Sequence, residues 1–257
     1  MSARFYTNIA LVTGSQTTLP DQAARHVQVL RLQPGNSITL FNGLGNGQPG
    51  SEGEFEAIIT RMGRSDVEVT IGAYTATQRE APRTVHLVVG MPANERMDWL
   101  VEKATELGVA SIQPVMSERS VLRLKAERAD KKLAHWHGIA VAASEQCGRS
   151  RVPLIHDVAV LADWLKTTTR QVPPTNAGAK LLLSLQSGTQ PLALAAASTG
   201  KNTQALTFLS GPEGGLSLAE ETAALACGFI PVTLGPRVLR AETAPLACLA
   251  FLALALN

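Results

Sequence analysis

The chain has 257 residues, of which 45% are hydrophobic and 17% charged, and a formal net charge of +2. This balance excludes a disordered chain and fits one large domain or a small domain followed by a larger one. With so little net charge, any nucleic-acid contact has to come from a local basic stripe.

In chain order, Asp21 directly after Pro20 is a start signal for a helix over 21–32. Residues 37–41, 55–60 and 67–71 alternate apolar and polar side chains and read as strands. Short strands with glycine turns between them suggest a small barrel. The glycine-rich stretch 43–50 lies between two strand patterns rather than between a strand and a helix. It therefore reads as a hairpin tip and fails the context of a dinucleotide-binding loop. Residues 75–83 are polar, contain Pro82, and mark the boundary between 1–74 and 84–257.

From Thr84 the pattern changes to strands alternating with helices. The run 85–89 is continuously apolar, as in a buried parallel strand. Asn94 is suited to cap a helix whose face is Met97, Leu100, Val101, Ala104 and Leu107, with Gly108 as its stop. A strand is expected at 112–115. A long helix is expected over about 126–146, with Leu133, Trp136, Ala140 and Ala143 on one side. Loops follow at 173–178 and 198–203, and the last strands are 181–185, 206–209 and 230–234. Ser217 and Glu220 form a capping box that opens a helix. The apolar stretch 244–256 is too short to span a bilayer and reads as a buried helix. Cys147, Cys227 and Cys248 are scattered and form no zinc pattern, and the N-terminus has no apolar signal core. Both point to a cytoplasmic protein without a structural metal.

Two corners concentrate the chemistry. Leu209-Ser210-Gly211-Pro212-Glu213-Gly214-Gly215-Leu216-Ser217 and Leu234-Gly235-Pro236-Arg237-Val238-Leu239-Arg240-Ala241-Glu242-Thr243 each follow a strand and precede a helix. Ligands of open α/β sheets lie outside the carboxyl ends of strands, so both corners face the expected site. Glycine lets a ligand approach the backbone, and a helix start offers free N–H groups. Arginine forks suit phosphate and carboxylate, which makes Arg237 and Arg240 beside Glu242 more than a connector. A phosphate-loop reading fails, because no Gly-x-x-x-x-Gly-Lys-Ser/Thr is present. Arg119, Arg123, Lys125, Arg128, Lys131 and Lys132 form a basic segment diluted by Glu118, Glu127 and Asp130. By itself that segment is a solvated helix face.

The paired corners resemble the C-terminal motifs of SPOUT methyltransferases, and within them most closely the RsmE family of 16S ribosomal RNA uridine-N3 methyltransferases. The stretches Glu102-Lys103-Ala104-Thr105-Glu106-Leu107-Gly108-Val109, Ser117-Glu118-Arg119-Ser120, Ser144-Glu145-Gln146-Cys147-Gly148-Arg149-Ser150-Arg151-Val152-Pro153 and His26 to Leu32 agree with that family. One departure is Gln28, where the family usually has arginine.

The resemblance implies an α/β SPOUT domain with a deep trefoil knot, preceded by a small PUA-like β-barrel that helps hold RNA. It implies a homodimer acting on 16S ribosomal RNA in the 30S subunit, with S-adenosylmethionine as methyl donor and no membrane or metal partner. The adenosyl moiety is then expected against Ser184, Leu185, Leu209, Gly211, Pro212, Glu213, Gly214, Leu234, Gly235, Val238, Leu239 and Thr243. Arg240 and Arg237 are the candidates for stabilising the uracil anion or gripping a phosphate. Glu213 and Glu242 are candidates for orienting those arginines or acting as base. Arg4, Arg31, Arg119, Arg123, Arg149 and Arg151 are candidates for RNA contacts. Rival readings are a SPOUT enzyme acting on a ribose 2′-hydroxyl or a tRNA base, and a non-catalytic RNA-binding assembly factor.

Overall fold

A computed structural model describes residues 2–44, 52–81, 83–93, 95–124, 126–170, 178–198 and 205–255. The 45–50 part of the glycine-rich stretch, the helix cap Asn94, Lys125, and the loop positions 173–177 and 199–203 lie outside the described residues. The chain divides into two compact units. One is Met1–Glu80 with Val141–Val152, and the other is Ala81–Ala140 with Pro153–Asn257. Residues 141–152, assigned by sequence to the second domain, thus pack with the first.

The first unit holds β1 (Arg4–Tyr6), β2 (Gln16–Thr18), α1 (Asp21–Val29), β3 (Ser37–Phe41), β4 (Gly53–Met62) and β5 (Val67–Ala76). The strands form a five-stranded sheet in the order β1-β3-β4-β5-β2. Only the β1–β3 pair is parallel. Strand alternation sends Ile38, Leu40, Phe55, Ala57, Ile59, Val67, Val69 and Ile71 into one core, where α1 adds Ala23, Ala24 and Val27. Each fully buried aliphatic or aromatic side chain there contributes about 1.5–3 kcal/mol of transfer free energy. The helix α1 is shorter than its sequence pattern. Leu30 closes it, and Arg31 adopts a left-handed φ of 55° with its N–H on the Gln28 carbonyl. The strands β4 and β5 outrun their predicted ends, so the strand pattern continues into the polar stretch predicted as a linker.

The second unit begins with β6 (Thr84–Gly90), α2 (Glu95–Glu106), β7 (Ser111–Met116) and the first part of α3 (Ala126–Cys147). It continues with β8 (Leu154–Ile155), β9 (Ala159–Val160), α4 (Leu161–Arg170), β10 (Ala179–Leu183), β11 (Gln190–Pro191), α5 (Leu192–Ser198), β12 (Ala205–Ser210), α6 (Leu218–Ala226), β13 (Ile230–Thr233) and α7 (Thr243–Ala255). Its sheet has eight strands in the order β11-β13-β10-β12-β6-β7-β8, with β9 also paired to β7. Every pairing is parallel. Such sheets are covered on both faces, which explains the continuous apolar runs of β6 and β12. Val85, Leu87, Val88, Leu206, Phe208 and Leu209 are all buried. The apolar C-terminal stretch is α7, which buries Leu246, Cys248, Leu249 and Leu252. No helix among the described residues is long and apolar enough to cross a membrane.

Sequence placed the two Gly-Pro corners at one sheet edge. The structure adds that they are not neighbours, because β10 lies between β12 and β13. Three strand ends therefore converge, and the end of β10 becomes the floor between the corners.

Candidate active site

The first corner is built by close backbone approach. A Cβ on Gly211 would stand 2.7 Å from both Gly215 C and Leu216 N, a separation no side chain tolerates. The turn closes with the Gly215 N–H on the Pro212 carbonyl at 2.8 Å. Behind it, Ser217 and Glu220 make the capping box anticipated from sequence. The Glu220 carboxylate also takes the Glu118 N–H at 2.8 Å, while Arg119 donates to the carbonyls of Gly214 and Leu216. The segment 117–120 thereby braces the glycine-rich turn.

The second corner turns at Gly235, whose φ of 105° suits glycine alone. Its N–H bonds the Thr233 hydroxyl. The Arg240 carbonyl accepts the N–H groups of Thr243 and Ala244, which launches α7. Between the corners, Ser184 donates its hydroxyl to Glu221 at 2.8 Å and accepts the Gln186 N–H.

These segments enclose a cavity of about 490 Å³, within the range of small-molecule sites. Of the expected cofactor residues, Ser184, Leu185, Gly211, Pro212, Glu213, Gly214, Leu234, Gly235, Val238 and Leu239 line it, and so do Arg237 and Arg240. Leu209 and Thr243 are not among its lining residues, since Leu209 is wholly buried within β12. Glu242 is buried outside the lining, with its Oε2 unpartnered among the described residues. Sequence reasoning missed Arg96, Glu221 and Val232, all of which line the cavity. Glu221 adjoins the legible capping box, but nothing local marked Arg96.

The expected RNA contacts divide. Arg119 lines the cavity and braces the first corner, and Arg123 bonds the Glu118 carbonyl. In the first unit, Arg4 pairs with Glu54 and donates to the carbonyls of Gly148 and Arg149. Burial, reinforced by Arg79, pulls the pKa of Arg4 down. Arg149 is buried and grips Glu80 with two nitrogens, one at 3.0 Å from Nε. Arg151 pairs with Glu52 but stays half exposed, and Arg31 is exposed. Gln28, at the position of the family's arginine, donates its amide to the carbonyls of Gly63 and Arg64. Glu145 accepts the Tyr6 N–H and pairs with His26, while burial holds its carboxyl above the usual glutamate range.

An RNA methyltransferase domain model matches residues 79–253. The chain is 32% identical over 225 residues to the ribosomal RNA small subunit methyltransferase E of Bacillus subtilis, a match covering 86% of this chain and 82% of that one. A crystal structure of a ribosomal RNA small subunit methyltransferase E from Neisseria gonorrhoeae, bound to S-adenosyl methionine, superposes with a TM-score of 0.84 at 36% identity, covering 97% of this chain and 96% of that chain. A putative methyltransferase from Legionella pneumophila, in complex with the same cofactor, gives 0.86 at 32% identity, covering 99% and 98%. With such matches along nearly its whole length, the chain belongs to the RNA methyltransferases, in the ribosomal RNA small subunit methyltransferase E (RsmE) family.

Proposed function

We propose that the chain transfers a methyl group from S-adenosylmethionine to N3 of a specific uridine in 16S ribosomal RNA, acting on the 30S subunit in the cytoplasm as a homodimer. The observation that carries this reading is the cavity at the ends of β10, β12 and β13, lined by both Gly-Pro corners together with Arg237 and Arg240. The residues present fit the cofactor. The backbone of the first corner is stripped of side chains at Gly211, and Ser210 keeps a buried hydroxyl without a partner among the described residues. Ser184, Gln186 and Glu221 add polar groups between the corners.

Once bound, the cofactor supplies an electrophilic methyl group on a cationic sulfonium. The protein has to present an N3 that has lost its proton, and N3 lies on the pairing edge, so the uracil must be unpaired or flipped. Arg240 and Arg237 stabilise the developing anion or hold the adjacent phosphate, as donors aimed at developing charge do. A cavity that excludes water strengthens those contacts.

The same reading takes residues 1–74 as a PUA-like RNA-holding domain and 84–257 as a SPOUT domain with a trefoil knot. After β13 the chain returns past β10 to pack α7 against β12, β6 and α2, a route that supports threading. The test is transfer of labelled methyl groups to unmethylated 30S subunits, free 16S RNA and tRNA, with the product nucleoside identified by mass spectrometry. N3-methyluridine in 16S RNA is the expected product. A 2′-O-methyl nucleoside or modified tRNA would overturn the assigned target, and cofactor binding without transfer would overturn the enzyme reading.

A further inference from the structure

The two corners are joined by a residue that belongs to neither. Arg96 lies in the first turn of α2, at the far side of the second unit's sequence, and lines the cavity. Its Nη1 stands 3.3 Å from Glu213 Oε1 in the first corner. Its Nε stands 3.9 Å from Glu242 Oε1 in the second. Glu213 is held further by the Ala93 N–H at 2.9 Å. Glu242 is only 7% exposed, and its other oxygen has no hydrogen-bond partner among the described residues. Arg96 is the cation within ion-pair distance of that buried carboxylate among the described residues.

We infer that Arg96 is a positioning residue that sets the spacing of the two corners, and through Glu242 the placement of Arg240. This rests on the methyl-transfer reading above. Glu242 follows Arg240 by two residues, and the Arg240 carbonyl carries the first N–H groups of α7. A displacement of Glu242 therefore moves the loop that carries Arg240. The guanidinium suits the task because its Nε and Nη1 donors diverge within one rigid plane, so one side chain addresses two carboxylates at once. A lysine ammonium supplies the charge without that plane.

Misplacement of reacting groups by about 1 Å costs on the order of 10²-fold in rate. Arg96→Ala is accordingly expected to lower kcat by roughly 10²-fold, a larger loss than the fall in cofactor affinity read by calorimetry. Arg96→Lys, which keeps the charge without the plane, should recover only a small part of the loss, and Arg96→Gln, which preserves side-chain bulk, should recover none. In a double-mutant cycle, Arg96→Ala and Glu242→Gln should be strongly non-additive, as for residues that act as a pair. Amide hydrogen exchange provides a readout without turnover: residues 236–242 should exchange faster in Arg96→Ala while β12 stays protected.

The inference is overturned if kcat of Arg96→Ala and Arg96→Gln stays within threefold of the parent. It is equally overturned if cofactor affinity falls in step with kcat, if the cycle is additive, or if exchange in 236–242 is unchanged. Absence of transfer by the parent protein would instead overturn the proposed function, and hydrogen exchange would still decide the role of Arg96.

Discussion

The arginines of the first unit and those of the second corner differ in what holds them. Arg4, Arg79, Arg149 and Arg151 are matched by Glu54, Glu80 and Glu52. Arg237 and Arg240 have no side-chain hydrogen bond or ion pair among the described residues, and both line the cavity. Arg149 and Arg151 follow Gly148 in a short loop much as Arg237 and Arg240 follow Gly235. The difference lies in the carboxylates that folding brings to them. Removing a guanidinium paired with an internal glutamate strands that buried charge, whereas one left open beside a cavity has its donors free for a ligand.

Removing one arginine from each set separates the two roles most strongly. Arg240→Ala should lower methyl transfer by about 10³-fold, the upper range for loss of one charge-stabilising donor. Its cofactor binding by calorimetry and its unfolding midpoint should remain near those of the parent, and near-normal turnover would end its assignment. Arg149→Ala should do the reverse. Breaking a buried pair leaves Glu80 without its partner and costs about 3 kcal/mol, read as a lower denaturant midpoint. A stable Arg149→Ala protein that has lost RNA affinity would return Arg149 to the RNA surface.

A smaller effect separates the units by pH. Burial raises the Glu145 carboxyl above its ordinary value of 4.5, against the opposing pull of the Tyr6 N–H, His26 and Arg4. The folded state then binds more protons than the unfolded state as pH climbs from 4.5 toward the raised native value, so stability falls across that window. Glu145→Gln should flatten this fall, and denaturant midpoints at pH 4.5 and pH 7 compare the two proteins. Parallel pH dependences would remove Glu145 as its source. The smallest effect belongs to the second unit: Ser217→Ala should cost about 1 kcal/mol by loss of one cap, seen in thermal unfolding.

Local pattern carried much of the fold. The α3 helix, the Ser217–Glu220 capping box and the strands at both corners lie where periodicity and caps put them, because short-range chemistry decides each. The three-residue strands β1 and β2 escaped notice, being too short to show a period. So did α4, although its apolar face buries Leu161 and Leu165. Most of the cavity's lining was legible too, since the glycines and arginines of the corners are contiguous in the chain. Leu209 turns its side chain into the core rather than the cavity, because a residue near the end of a strand faces either side and only packing selects which.

What the sequence determined by itself was the pair of glycine-rich corners with their arginines, since close backbone approach and charge require those residue types. The packing of distant elements fixed which partner each arginine meets. It placed β10 between the corners, gave Arg149 to Glu80, and brought Arg96 to Glu213 across 117 positions of sequence. Contacts of that range depend on how the elements pack, and no local spacing records them.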